Sequence, residues 1–418
     1  MRIGIQTWGS AGDVRPMIAL AAGLRAAGHE VRLVATPVEN RDYRPLCLAL
    51  GVPYRQAPDV VAADLQDMPR KVRPWHRLSQ RVRLFFDTCF FPYVEPMYDA
   101  ARDLAAGSDL LIAHFFLYPA KIAALKAGVP YVSVAYWPGV ARSPDESEFG
   151  LPRMGRTLNR VTSRLLQGVV DKAIREEVHR FWRREGLQPP RHATLDGGAS
   201  ETLNLLGASP ALWPQDPEWL PHHRLCGFLS IPDAAEPWEM PTPLREFLAA
   251  GLPPVYMTFG SSQLLQPERG TEIQLAAARL AGCRAILQTC SPRYPADTRD
   301  GDVYFLGPAA HRLVFPHCAA IVHHGGAGTT HSATRAGRPS VVVGFFGEQM
   351  SWGRRLRGLG IAGQPLAYQW LSPPKLARAV RYVLDSPEMR PRAERLAETM
   401  RQENGVMRAV EEIERLGR

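Results

Sequence analysis

The sequence runs to 418 residues with a formal net charge of +9, 45% hydrophobic residues and 22% charged residues. That length holds two or three domains with substantial cores, and the balance excludes both a disordered chain and a small disulfide-stapled module. Only five residues are lysine, so the cationic excess is arginine; without finger or basic-zipper spacing it is not read as a nucleic-acid surface, although it can help attract an anionic small molecule. No window approaches the roughly 18 apolar residues of a membrane span, and the N-terminus lacks the pattern of a signal peptide, so a cytoplasmic location is expected. Cys47, Cys89, Cys226, Cys283, Cys290 and Cys318 are scattered, with no zinc-type spacing, and read as reduced thiols.

Arg2 to Thr7 is a short apolar run, followed by the loop Trp8-Gly9-Ser10-Ala11-Gly12-Asp13 and a helical pattern opening at Pro16 and running through Leu24. Gly28-His29 ends that helix, and the β-rich stretch Val31 to Ala35 completes a first βαβ unit, closed by Thr36-Pro37. Strands are predicted again at Leu110 to Ala113 and Tyr131 to Val134. Lys71 to Tyr98 mixes arginines with Trp75, Phe85, Phe86, Phe90, Phe91 and Tyr93, as the wall of an acceptor pocket, a weak membrane-surface patch, or a helix with its aromatic face in the core. Arg153 to Trp182 reads as long polar helices. Between Gly207 and Pro243 proline and tryptophan become dense and periodicity fades, which marks an interdomain connection. Alternation then resumes, with strands at Pro254 to Phe259, Ala285 to Gln288, Val303 to Leu306, Ala320 to His323 and Val341 to Val343, and a helix at Thr271 to Leu280. The fold class is α/β, two facing doubly wound parallel-sheet (Rossmann-like) domains, with ligands held at the carboxyl ends of the strands.

Three loops could carry chemistry. His323-His324-Gly325-Gly326-Ala327-Gly328-Thr329-Thr330 lies between a strand and a helix, where small residues and free amides suit a diphosphate and a histidine can stabilise a leaving oxygen. Thr258-Phe259-Gly260-Ser261-Ser262 ends a strand and could grip the same phosphates; taken alone it is a weak signal. Gly344-Phe345-Phe346-Gly347-Glu348-Gln349 sets a carboxylate beside an amide, a pair able to bind vicinal sugar hydroxyls or merely to form a solvated turn and helix start. The first glycine loop is not G-x-G-x-x-G, and the second strand has no acid at its tip for a ribose, so an NAD enzyme is disfavoured. Asp13 fits a cleft-facing carboxylate and a helix N-cap equally well.

Gly9-Ser10-Ala11-Gly12-Asp13-Val14-Arg15-Pro16 resembles the opening of the bacterial antibiotic, rhamnolipid and sterol members of the family 1 nucleotide-sugar glycosyltransferases, and His323 through Gly353 resembles their donor signature. The resemblance implies GT-B architecture, with an acceptor domain over residues 1–230, a donor domain over 231–399, and a helix at 400–418 returning to the first. It implies inverting transfer of a hexose or deoxyhexose from a UDP- or TDP-sugar to a hydroxyl of an apolar small molecule such as a polyketide, macrolide, sterol or lipid. Asp13 would be the general base; Ser10, Gly12, Gly260, Ser261, His324, Gly326, Gly328 and Thr329 would line the donor; Glu348 and Gln349 would hold its sugar. No cofactor and no metal are expected, helix dipole and histidine replacing one, and no D-x-D triplet of the metal-dependent kind is expected either.

Glu348 stands where the family often has Asp, and His311-Arg312-Leu313-Val314 departs from its His-Asp-Trp-Leu, which leaves sugar and base open. Where plant relatives pair a catalytic His with an Asp, this chain suggests a reversed pair, with His114 orienting or relaying for Asp13. A sugar-nucleotide epimerase of the same fold and an inactive binding partner are the rival classes; a monomer and a homodimer are both compatible with the sequence.

Overall fold

The computed structural model describes residues 1–58, 78–141, 155–345 and 347–417. Its first sheet holds β1 (Arg2–Gly9), β2 (Glu30–Pro37), β3 (Tyr54–Gln56), β4 (Leu110–His114), β5 (Tyr131–Ala135), β6 (Leu203–Leu206) and β7 (His223–Leu225). The strands lie in the order β3-β2-β1-β4-β5-β6-β7, all parallel, with β1 at the switch point between β2 and β4. The second sheet holds β8 (Val255–Thr258), β9 (Ala285–Gln288), β10 (Thr298–Asp300), β11 (Val303–Leu306), β12 (Ala320–His323), β13 (Ser340–Gly344) and β14 (Leu366–Ala367). Its order is β10-β11-β9-β8-β12-β13-β14, parallel except for the β10–β11 hairpin. Doubly wound sheets collect ligands where the strand order reverses, which here means the carboxyl ends of β1 and β4 in one lobe and of β8 and β12 in the other.

Buried on both faces, the central strands are runs of Ile, Val, Leu and Ala rather than alternating patterns, and each fully buried aliphatic side chain contributes roughly 1.5–3 kcal/mol. The helix Ala11–Ala26 supports β1 with Val14, Met17, Ile18, Leu20 and Leu24 fully buried. It begins five residues before the expected Pro16, because Ser10 caps it and Asp13 completes a capping box. Near the C-terminus, the helix Gly405–Glu414 lies against this first helix: a Cβ at Gly23 would run into Val406, and Glu414 reaches His29 at 3.3 Å.

Two stretches differ from their sequence reading. The proline-rich connection contributes β7, because Leu225 and Cys226 reach the core beside Leu206. The polar stretch after Arg153 is a single helix from Arg156 to Arg184. Within the aromatic stretch, Phe86 of the helix Leu78–Cys89 and Phe90 just after it are buried in a cluster with Trp8, so its described aromatics form core and cleft wall rather than a surface patch. Trp75 lies outside the described residues, as does Phe346 of the third loop. Among the described residues no helix is long and apolar enough to cross a membrane.

Candidate active site

A cleft of about 2550 Å³ runs between the two sheets and is lined by residues of both. Ser10, Gly12, Asp13 and His114 reach it from the first lobe; Gly260, Ser261, His324, Gly326, Gly328, Thr329, Glu348 and Gln349 reach it from the second. All twelve residues predicted for catalysis and donor binding therefore lie on one cavity.

On the first-lobe side, the capping box fixes Asp13. Its Oδ2 accepts from the Ser10 amide at 2.8 Å and from the Ser10 hydroxyl at 3.0 Å. Gly9 sits at φ +131°, and a side chain there would collide with the Asp13 carboxylate. The N-cap expected at Asp13 is therefore Ser10; Asp13, three residues on, closes the capping box with one carboxylate oxygen and leaves the other for the cleft. The other, Oδ1, faces His114 Nε2 at 3.6 Å. Burial against the cleft walls pushes Asp13 up to about 6, although 31% of its side-chain surface stays open to the cleft.

His114 ends β4 and is only 3% exposed. Its Nδ1 accepts from the Phe116 amide at 3.5 Å, which places the ring proton on Nε2, toward Asp13. Burial drives this imidazole down to about 3, so it is neutral. Phe115, Phe116 and Tyr136 surround it, with ring centroids 5.1–5.7 Å away. Together with Trp8, Phe85, Phe86 and Trp137 they give the cleft beside Asp13 an aromatic wall.

Sequence reasoning missed Glu39. Two residues beyond β2, its carboxylate accepts from the Ala11 amide, the first of the Ala11–Ala26 helix. An acid does follow the second strand, but it occupies the helix entrance that a dinucleotide phosphate would need, and so strengthens the case against an NAD site. The sequence shows an acid at Glu39, past the strand tip, but not its contact with Ala11. Arg15 was also missed; its guanidinium makes a two-pronged ion pair with Glu236 of the interdomain connection.

The second-lobe side is built around His324. A Cβ at Gly326 would run into its Nε2, and one at Gly260, held at φ +54°, into its Cε1, so both glycines serve the close packing of this ring. Burial pushes His324 down to about 4, and its buried Nδ1 has no hydrogen-bond partner among the described residues. Gly325, at φ +84°, turns its amide back onto His323 Nδ1 at 3.1 Å. The helix Ala327–Arg335 then starts from Gly326 with no side-chain cap, leaving its first amides and positive dipole end facing the cleft.

Glu348 and Gln349 stand in the first turn of the helix Gly347–Gly358. Burial, and then the charge of Asp13, raise Glu348 to about 7, so the two carboxylates sense each other across the cleft. Gln349 Oε1 accepts from the Phe345 amide at 2.7 Å, which orients its side chain. One sequence expectation is corrected: a D-x-D triplet does occur, at Asp300-Gly301-Asp302. It forms the turn of the edge hairpin, outside the cleft, where Asp300 pairs with Arg279 at 2.5 Å.

Residues 308–416 match the family described as "Erythromycin biosynthesis protein CIII-like, C-terminal domain". The chain is 34% identical to the O-mycaminosyltylonolide 6-deoxyallosyltransferase of Streptomyces fradiae, over 99% of this chain and 97% of that one. It is 29% identical to the sterol 3-beta-glucosyltransferase UGT80A2 of Arabidopsis thaliana, over 98% of this chain and 64% of that one. Among solved structures, the glycosyltransferase VinC in complex with DTDP superposes with a TM-score of 0.64 at 21% identity, covering 99% of each chain. The chain is a glycosyltransferase of family 1, with the two-lobed GT-B fold.

Proposed function

We propose that this enzyme transfers a hexose or deoxyhexose from a UDP- or TDP-sugar to a hydroxyl of an apolar small molecule, with inversion and without a metal. The observation that carries the reading is the placement of Asp13, a carboxylate raised to about 6, across one cleft from an uncapped helix entrance with a buried histidine. Asp13 Oδ1 takes the proton of the acceptor hydroxyl, and the oxygen attacks the anomeric carbon. The bond from that carbon to the diphosphate oxygen breaks, and the nucleoside diphosphate leaves with the electron pair. A base on the face opposite the leaving group gives inversion, and the separation of the two lobes supplies it.

Charge developing on the departing oxygen meets the amides of Ala327, Gly328 and Thr329 and the His324 imidazole, which can replace a cation. Ser10, Gly12, Gly260 and Ser261 border the same space, and Glu348 and Gln349 are placed to hold sugar hydroxyls. His114 donates toward Asp13 and orients it. The aromatic wall suits an apolar acceptor, and the named activities of the tylonolide and sterol relatives support that class.

The test is a matrix of nucleotide sugars against apolar alcohols, read by mass spectrometry, with the anomeric configuration of each product assigned by NMR and parallel assays run in chelator. Product of inverted configuration, formed equally in chelator, is expected. Retained configuration, or donor turnover without any acceptor, would overturn the proposal.

A further inference from the structure

We infer that His331, on the donor-side helix, is a positioning residue that holds the diphosphate-facing first turn in register with the first lobe. The inference rests on the proposed donor position. His331 lies one turn into the helix Ala327–Arg335 and is 2% exposed. Its Nε2 accepts from the backbone amide of Ser209, just beyond β6 in the other lobe, at 3.0 Å. Nδ1 therefore carries the ring proton and donates to the Ala327 carbonyl at 2.6 Å. One neutral imidazole thus bridges the first residue of the donor helix and the backbone of the acceptor lobe.

Two further contacts tie this bridge to the cleft. Phe228, from the connection between lobes, stacks on the His331 ring with centroids 4.4 Å apart, and its Cζ would lie 3.6 Å from a Cβ at Gly328. Phe228 thus backs the turn that presents the amides. On the far side, the Ser209 hydroxyl donates to Glu403 at 2.8 Å, immediately before the C-terminal helix that returns to the first lobe. His331 is the second lobe's side chain in a junction of donor helix, acceptor lobe and return segment. Without its acceptor nitrogen, the buried Ser209 amide is orphaned, and the helix entrance loses its tie to the lobe carrying Asp13.

The experiment compares His331→Leu with His331→Gln. Glutamine can accept from Ser209 through Oε1; leucine cannot. TDP and UDP binding by calorimetry should be about tenfold weaker in the leucine variant and near wild type in the glutamine variant. Donor KM should follow binding, with acceptor KM unchanged. Equal binding by wild type and the leucine variant, or equal loss in both variants, overturns the inference. Hydrogen exchange over residues 205–212 and 324–332 needs no nucleotide: acceleration of both segments in the leucine variant, relieved in the glutamine variant, supports the link, and unchanged exchange overturns it. If wild type binds neither nucleotide, the donor assignment fails, while the exchange result still decides the link.

Discussion

The helix after β1 and the helix after β12 both begin at a glycine loop on the carboxyl edge of a parallel sheet. At the Ala11 helix the chain's own acids fill the entrance: Asp13 accepts from Ser10 and Glu39 from the Ala11 amide. At the Ala327 helix no side chain caps the entrance, and the buried Nδ1 of His324 is without a hydrogen-bond partner among the described residues. The same local architecture thus yields a self-neutralised end bearing a carboxylate of raised proton affinity, and an open end suited to an anion. In the proposed reaction, capping chemistry rather than fold would separate the proton-accepting side of the cleft from the phosphate side.

The sharpest break of this contrast is Asp13→Asn. It should lower kcat by about a hundred- to ten-thousand-fold while TDP or UDP binding stays within a few-fold, measured by steady-state kinetics and calorimetry. A fully active variant would remove the first lobe's role. The fold should respond in the opposite sense. Asp13 is raised from its ordinary 3.8 to about 6, so the folded state holds the extra proton, and stability falls as pH rises through that window. The asparagine variant lacks this cost and should melt higher than wild type at pH 7; an equal or lower melting temperature would mean that burial does not raise the carboxylate.

His324→Ala attacks the open end. Losing a hydrogen bond to a charged diphosphate should weaken TDP or UDP binding by about ten- to a hundredfold, with little effect on a nucleoside lacking phosphates. Equal losses for nucleoside and nucleotide would move the histidine away from the phosphates. The variant should still fold, because the glycines at 260 and 326 crowd the ring without bonding to it.

His114→Ala tests what supports the carboxylate. A neutral imidazole aiming Nε2–H at Asp13 favours the ionised carboxylate, so its loss should cost about tenfold in kcat/KM. The acid limb of the rate profile, expected near the Asp13 value of about 6, should move upward. Full turnover with an unmoved limb would leave His114 a packing residue.

How much of this was legible in the sequence depends on what each signal encodes. The central strands other than β6, and the glycine loop after β12, were readable, because burial on both faces and the need for small residues act on local sequence. Edge strands β3, β7, β10 and β14 were not; they are two or three residues long and owe their form to a neighbour already in place. Asp13 read equally as N-cap and cleft acid because both roles need a carboxylate at the helix start; the cap is Ser10, and Asp13 closes the capping box with one oxygen while the other faces the cleft. Glu39 and His331 escaped notice because each acts through a contact distant in the chain, with Ala11 and with Ser209, that no spacing rule contains.

The smallest expected effect belongs to Glu39→Gln. Glutamine keeps an oxygen for the Ala11 amide, so the cap survives while the charge goes. Glu39 contributes to the raised proton affinity of Asp13, after the larger effect of burial, so its neutralisation should lower the acid limb by a few tenths of a pH unit. His114→Ala should push the same limb upward. Because the two groups reach Asp13 separately, Glu39 as a charge and His114 as a donor, the double variant should fall between the single ones, close to their sum. A limb that ignores Glu39 would mean that the acid at the Ala11 entrance is screened from Asp13, and that the first-lobe entrance owes its chemistry to burial alone.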